Sequence, residues 1–185
     1  MSIRHGLLAL LEDGPRYGFR LRTEFEARTG AVWPLDIGQV RTALGSLERD
    51  GLVVQEGVDG AGRTLYALTA AGRAELRAWY VRPVSHTGPP RDELVIKLAL
   101  ALGAPGVDVH QVVEAQRRHV SGTLHDYVRR RAEVLARQPA RPDEVARLLI
   151  LERLICHAEA EVRWLDHCEA RLLRLHRPGA REARE

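Results

Sequence analysis

The chain has 185 residues, 45% of them apolar and 29% charged, with 28 basic side chains against 25 acidic ones for a net charge of +3. That balance supports one ordinary domain or two small ones and excludes wholesale disorder. No apolar run approaches the ~18 residues of a membrane span. Ile3–Leu11 lacks the length, basic start and cleavage site of a signal peptide, and two cysteines in the whole chain exclude a disulfide scaffold. A cytoplasmic protein is expected.

In chain order, Ile3–Leu11 reads as a short apolar helix closed by Asp13-Gly14-Pro15. Tyr17–Thr29 follows, with Leu21 and Phe25 at helical spacing and Gly30 as the stop. Asp36 is the expected N-cap of a third helix, whose apolar stripe is Ile37, Val40, Leu44 and Leu47 and which Asp50-Gly51 closes. Leu52–Glu56 and Arg63–Leu68 read as two strands joined by the glycine-rich loop Gly57–Gly62. That loop lacks the Lys-Ser/Thr of a phosphate cradle and leads into a strand, so it reads as a flexible hairpin tip. Thr69 caps a fourth helix to about Val81. Three prolines and a glycine in Arg82–Pro90 mark a linker. Beyond it, Asp92–Leu102, Val107–Gln138 and Asp143–His176 read as helices, the last two separated by Gln138–Pro142. The predicted fold class is mainly α. A winged helix-turn-helix of three helices and a two-stranded wing fills 1–82, residues 83–90 form the linker, 91–176 an all-helical dimerisation domain, and 177–185 a frayed tail.

A winged helix-turn-helix points to double-stranded DNA, with the polar face of the third helix offered to the major groove. Bulk charge does not carry that reading, because residues 1–82 hold 11 basic and 10 acidic side chains. The 27 arginines against one lysine, Lys97, are scattered and read as coding bias. Local placement decides. With Leu44 at the centre of the buried face, Gln39, Thr42, Ser46 and Arg49 fall opposite and Arg41 on the flank. Gln suits adenine, and Arg suits guanine or phosphate. In the wing, Glu56 and Asp59 leave Arg63 as the one strong phosphate contact.

Four segments together resemble the PadR family of bacterial transcriptional regulators. Gly6–Phe19 is similar to the family's opening helix and its Gly-Pro-x-x-Gly-Tyr turn, with Phe19 for the usual tyrosine. Leu44–Val53 is similar to the end of its recognition helix, and Gly62–Arg73 to the returning wing strand and next helix. Arg91–Leu100 is similar to the start of a long C-terminal domain found in one branch. The likeness covers residues 3–102 well and the rest only in helical character. It implies a repressor that binds operator DNA as a homodimer through Tyr17, Gln39, Arg41, Thr42, Ser46, Arg49 and Arg63. Arg41-Thr42 departs from the family's Tyr-Pro, so arginine replaces a backbone-touching tyrosine and the operator is not borrowed from relatives.

In the last helix Leu148, Leu151, Ile155, Ala158, Val162, Leu165 and Leu172 follow alternating three- and four-residue steps, broken by Glu169, and are expected to form a two-fold dimer seam. The alternative is packing on Val113, Val120, Leu124 and Val128 of the preceding helix. Trp164 beside that seam, with Tyr127 and His157 as polar partners, is the expected contact of a small aromatic effector. An enzyme is the competing class. His157, Glu161, His167 and Cys168 share one helix, which cannot easily set four ligands tetrahedrally around an ion, so neither metal, cofactor nor catalysis is expected. Cys156 and Cys168 are twelve residues apart, ~18 Å along a helix and beyond intrachain disulfide reach. A DNA-free helical interaction module and a regulator without an effector are the remaining alternatives.

Overall fold

The computed structural model describes residues 3–30, 32–84, 92–139 and 141–175. The elements are α1 (Ile3–Leu11), α2 (Gly18–Arg28), α3 (Ile37–Arg49), β1 (Val53–Val58), β2 (Thr64–Leu68), α4 (Ala70–Val81), α5 (Glu93–Ala101), α6 (Val109–Leu135) and α7 (Pro142–Leu175). They fall into two compact units, 1–85 and 86–185. Most of the expected linker (85–90) and all of the tail (177–185) lie outside the described residues.

Local chemistry sets the helix ends. At α3, Asp36 accepts from the Gly38 amide at 2.6 Å while its own N–H donates to Gln39 Oε1 at 3.1 Å, a capping box that satisfies otherwise orphaned donors. Gly51, with φ +70°, takes the left-handed turn that ends the helix. Thr69 Oγ1 accepts from the Gly72 amide at 3.0 Å and donates to the Gly51 carbonyl at 2.8 Å, tying the start of α4 to the end of α3.

The first unit closes around α1, which packs on α2, α3, α4 and β2. Leu7, Leu8, Leu11, Leu21, Val40, Leu44, Leu47 and Leu76 are fully buried there. α4 lies so close to the hairpin that a Cβ on Gly72 would stand 2.1 Å from the Leu52 carbonyl oxygen. Backbone cannot yield as a flexible side chain can, so Gly72→Ala is expected to cost about 1–3 kcal/mol, read as a lowered midpoint in urea unfolding with the slope unchanged.

β1 and β2 pair antiparallel, with Val53 opposite Leu68 and Val58 opposite Thr64. Strand β1 runs two residues past its expected end, into the segment read as a glycine loop. A register shift between Gln55 and Gly57, with Gly57 at φ +115°, inserts the bulge that lets pairing continue. In β1 only Val53 is buried, so the wing has little core of its own. It is held instead by Arg16, whose N–H and carbonyl both bond to Tyr66 at 3.0 Å.

In the second unit α6 and α7 form a hairpin. They run antiparallel, because Gln116 near the start of α6 meets Glu161 at 2.7 Å and Arg117 meets Glu169 at 2.6 Å. Arg117 also pairs with Asp166 and Glu114. The stripe expected to form a dimer seam is largely covered within one chain. Leu151, Ile155, Ala158, Leu165 and Leu172 are already buried in a single chain. Ala158, Leu165 and Leu172 share a cluster with Val113 and Val120 of α6, and half-buried Val162 and Leu124 pack against it. Leu148 is half-buried. A helix of 34 residues spans about 50 Å, and α6 supplies a partner for the Ala158, Val162, Leu165 and Leu172 part of the stripe.

Candidate nucleic-acid interface

α3 stands between two clefts. One opens toward the start of α1 and is lined by Arg4, Gln39, Thr42 and Ser46, with Ile3, Gly38 and Ala43. The other, of about 390 Å³, opens toward the wing and is lined by Tyr17, Phe19, Arg41, Arg63, Thr64 and Tyr66 among others. The residues expected to touch DNA therefore divide into two groups across α3. Arg49 lines neither cleft and stands exposed at the last turn.

Gln39, Arg41 and Thr42 are exposed. Gln39 has two tasks. Its Oε1 completes the capping box, and its amide nitrogen, the donor half of the group, remains for an acceptor on a base edge. Ser46 is half-buried because Arg4, from the opening helix, donates to its hydroxyl at 2.6 Å and bridges onward to Asp50. Sequence reasoning missed Arg4. It lies 42 residues from Ser46, and nothing local to Ile3–Leu11 marks it as a neighbour of the third helix.

Arg63 is engaged within the wing. Its guanidinium pairs with Asp59 at 2.6 Å and lies over the Tyr17 ring, 3.8 Å from the centroid. Asp59 also accepts from the Ala61 and Arg63 amides at 3.0 and 2.9 Å, which ties the hairpin tip that the sequence suggested was flexible. A phosphate reaching Arg63 would have to share it with Asp59. The side-chain hydrogen bond from Arg63 holds the Asp59 carboxyl down at about 2. Because the folded value is lowered, the pairing is intact above the unfolded carboxyl value and is lost as pH falls through about 2. In Arg63→Ala the Asp59 titration, followed by carboxyl carbon NMR, is expected to move up toward the ordinary value near 4.

Arg16 is the buried charge beneath this surface. It is ion-paired to Glu24 at 2.9 Å and donates to the carbonyls of Leu10 and Gly14. Burial opposes ionisation of Glu24, but hydrogen bonds and charges from Arg20 and Arg16 outweigh it and lower its pKa. The pair fixes the turn that presents Tyr17.

In the second unit, Trp164 and His157 share a groove of about 350 Å³ between α5, α6 and α7. Tyr127, expected to join them, is not among its lining residues. On α6 it lies eleven residues beyond Gln116, the α6 residue that reaches the groove, which is ~16 Å farther along the helix. Cys156 is exposed and Cys168 half-buried, both as free thiols. Burial raises the Cys168 thiol pKa. Among the described residues no group of three His, Cys, Asp or Glu is placed to hold a metal ion, and no helix is long and apolar enough to cross a membrane.

Comparison with known proteins agrees with this geometry. Residues 7–78 match the PadR-like family of transcriptional regulators, and residues 90–172 match the family described as virulence activator alpha C-term. The Mycobacterium tuberculosis protein named "Probable transcriptional regulator Rv1176c" is 27% identical over 180 residues, covering 90% of this chain and 95% of its own length. The Vibrio cholerae virulence activator AphA is similar in structure with a TM-score of 0.68 at 25% identity, covering 94% of this chain and 99% of that one. Bacillus subtilis PadR, solved in complex with operator DNA, has a TM-score of 0.71 at 20% identity, covering 91% and 97%. With a winged helix whose wing is tied to Arg16 and whose third helix leaves Gln39, Arg41 and Thr42 open, residues 7–78 are a domain of the PadR-like transcriptional regulators, followed over residues 90–172 by a helical domain of the virulence-activator type.

Proposed function

We propose that this regulator acts in the cytoplasm as a homodimer, binds an inverted-repeat operator to repress transcription, and is released by a small aromatic effector. The observation that carries the DNA reading is the open face of α3 between two arginine-bearing clefts. Bacillus subtilis PadR, similar in fold, has been solved with operator DNA and with p-coumaric acid, which supports both halves of the reading. In a two-fold dimer the two α3 helices would meet half-sites about one helical turn, roughly 34–36 Å, apart or a multiple of it.

The surface for a second copy has to be apolar area not already used in the hairpin. α5 is apolar almost all round, yet Ile96, Leu100 and nearby Leu102 are exposed, as is Leu149 on α7. A helix of that character is ordinarily covered. An effector in the Trp164 groove would release DNA only by favouring a dimer whose two α3 helices no longer match the half-site spacing.

The test is gel retardation with DNA from upstream of the protein's own gene, alongside light scattering at micromolar concentration. A dimer that protects two symmetric half-sites in footprinting and binds more weakly as salt rises is the expected result. A monomer, or retention of the DNA independent of salt, would overturn the reading.

A further inference from the structure

We propose that the groove between α5, α6 and α7 selects an organic cation, an aromatic ring carrying an ammonium on a short arm. This deepens the effector reading and rests on it. The groove has an apolar wall of Trp164, Ala160 and Leu94, and its ionisable lining among the described residues is Asp92, Glu161 and His157, with no arginine or lysine. In a chain with 27 arginines and a net charge of +3, a recess lined by two carboxylates sets its own local sign. Either ion would lose hydration there, but an anion would also meet like charge, whereas a cation is compensated by the two carboxylates.

The carboxylates are held in place and retain binding capacity. Asp92 Oδ1 accepts from the Leu94 and Val95 amides at 2.9 and 3.2 Å, which anchors the group at the start of α5. Glu161 Oε1 accepts from Gln116 at 2.7 Å, and Glu161 is half-buried. Among the described residues the second oxygen of each has no partner. Trp164 follows Glu161 by three residues, so the indole and the carboxylate lie on one face of α7 less than a turn apart, within ~5 Å of rise. A ring stacked on the indole therefore brings an ammonium two carbons away to Glu161, and the indole face itself attracts cations. At about 350 Å³ the groove is at the small end of ligand clefts, which run from roughly 300 to 1,000 Å³, and suits one small molecule.

Tyramine and 3-(4-hydroxyphenyl)propanoate share a phenol and differ in the sign of charge on the arm. Calorimetric titration of the full chain is expected to show tyramine binding once per chain, about tenfold more tightly than the acid. Glu161→Gln keeps the acceptor for Gln116 and removes the charge. It is expected to weaken tyramine roughly three- to tenfold and to leave the acid unchanged or tighter. Acid binding as tight as amine binding, or an amine preference unaltered in Glu161→Gln, overturns the proposal. If the acid alone binds and Trp164→Phe weakens it, the groove is an effector site and only the cation assignment falls. If neither compound binds at millimolar concentration, or binding is indifferent to both Trp164→Phe and Trp164→Ala, the effector site falls with it. The gel-retardation test of DNA binding is unaffected by any of these results.

Discussion

Arg41→Ala is expected to weaken binding to every duplex sequence about tenfold, as loss of a charge-assisted contact does, and to lower the salt slope by about one ion per contact removed. Arg41 is exposed in the wing-side cleft and, unlike Arg63, forms no ion pair among the described residues. Arg63→Ala should move the slope less, because Asp59 already neutralises that guanidinium. Gln39 is expected to act differently. Gln39→Ala should relax discrimination at one base pair by roughly 1–3 kcal/mol, but it also removes half of the α3 capping box. Gln39→Glu separates the two effects. Glutamate at this position completes a capping box equally well, so thermal stability should hold while preference moves from adenine toward cytosine, whose amino group a carboxylate accepts. Binding-site selection on randomised operators, run beside salt titrations, checks all three variants. A change of base preference in Arg41→Ala with the salt slope intact would exchange the roles of Arg41 and Gln39.

Leu165→Ala is expected to destabilise the second unit by about 2–5 kcal/mol. Leu165 is 0% exposed in the single chain and sits in the cluster formed with Val113, Val120, Ala158 and Leu172. The truncated side chain would leave a cavity between two long helices whose spacing is set along their whole length, so the site collapses poorly. Leu149→Ala, at a position 62% exposed on the same helix, should leave the unfolding of a single chain within about 0.5 kcal/mol of wild type. Chemical denaturation at several protein concentrations distinguishes the two roles. A loss in Leu165→Ala that is the same at every concentration belongs to the hairpin, whereas a loss that disappears on dilution would return this residue to a contact between copies.

The features legible in the sequence were those whose cause lies within a few residues. Asp36 and Thr69 as N-caps and Gly51 as a stop each rest on a short-range exchange between a side chain and nearby backbone, or on a φ that glycine alone adopts cheaply. The stripe of Ile37, Val40, Leu44 and Leu47 shows which way α3 turns, and hence that Gln39, Arg41 and Thr42 face outward. The fate of the α7 stripe was not legible. Its spacing is the same whether the covering helix comes from the same chain or from another copy, and only the positions of Val113 and Val120 decide between them. Tyr127 was placed with Trp164 on aromatic character alone, which carries no information on position along α6.

By itself, then, the sequence determined the order and limits of the helices, the winged-helix character of the first unit and the outward face of α3, because hydrogen bonds and periodicity within one element specify them. Tertiary structure alone decided that Arg4 holds Ser46, that Arg16 fastens Tyr66 and with it the wing, that Arg63 is shared between Asp59 and Tyr17, and that Asp92 and Glu161 face one groove. Most of these pairs join residues 42 to 69 positions apart. Even Asp59 and Arg63, four apart in a hairpin tip, meet only because a bulge carries β1 to Val58. Chemical type tells what such side chains could bind, but packing of the helices around α1 and of α7 on α6 brings them within reach.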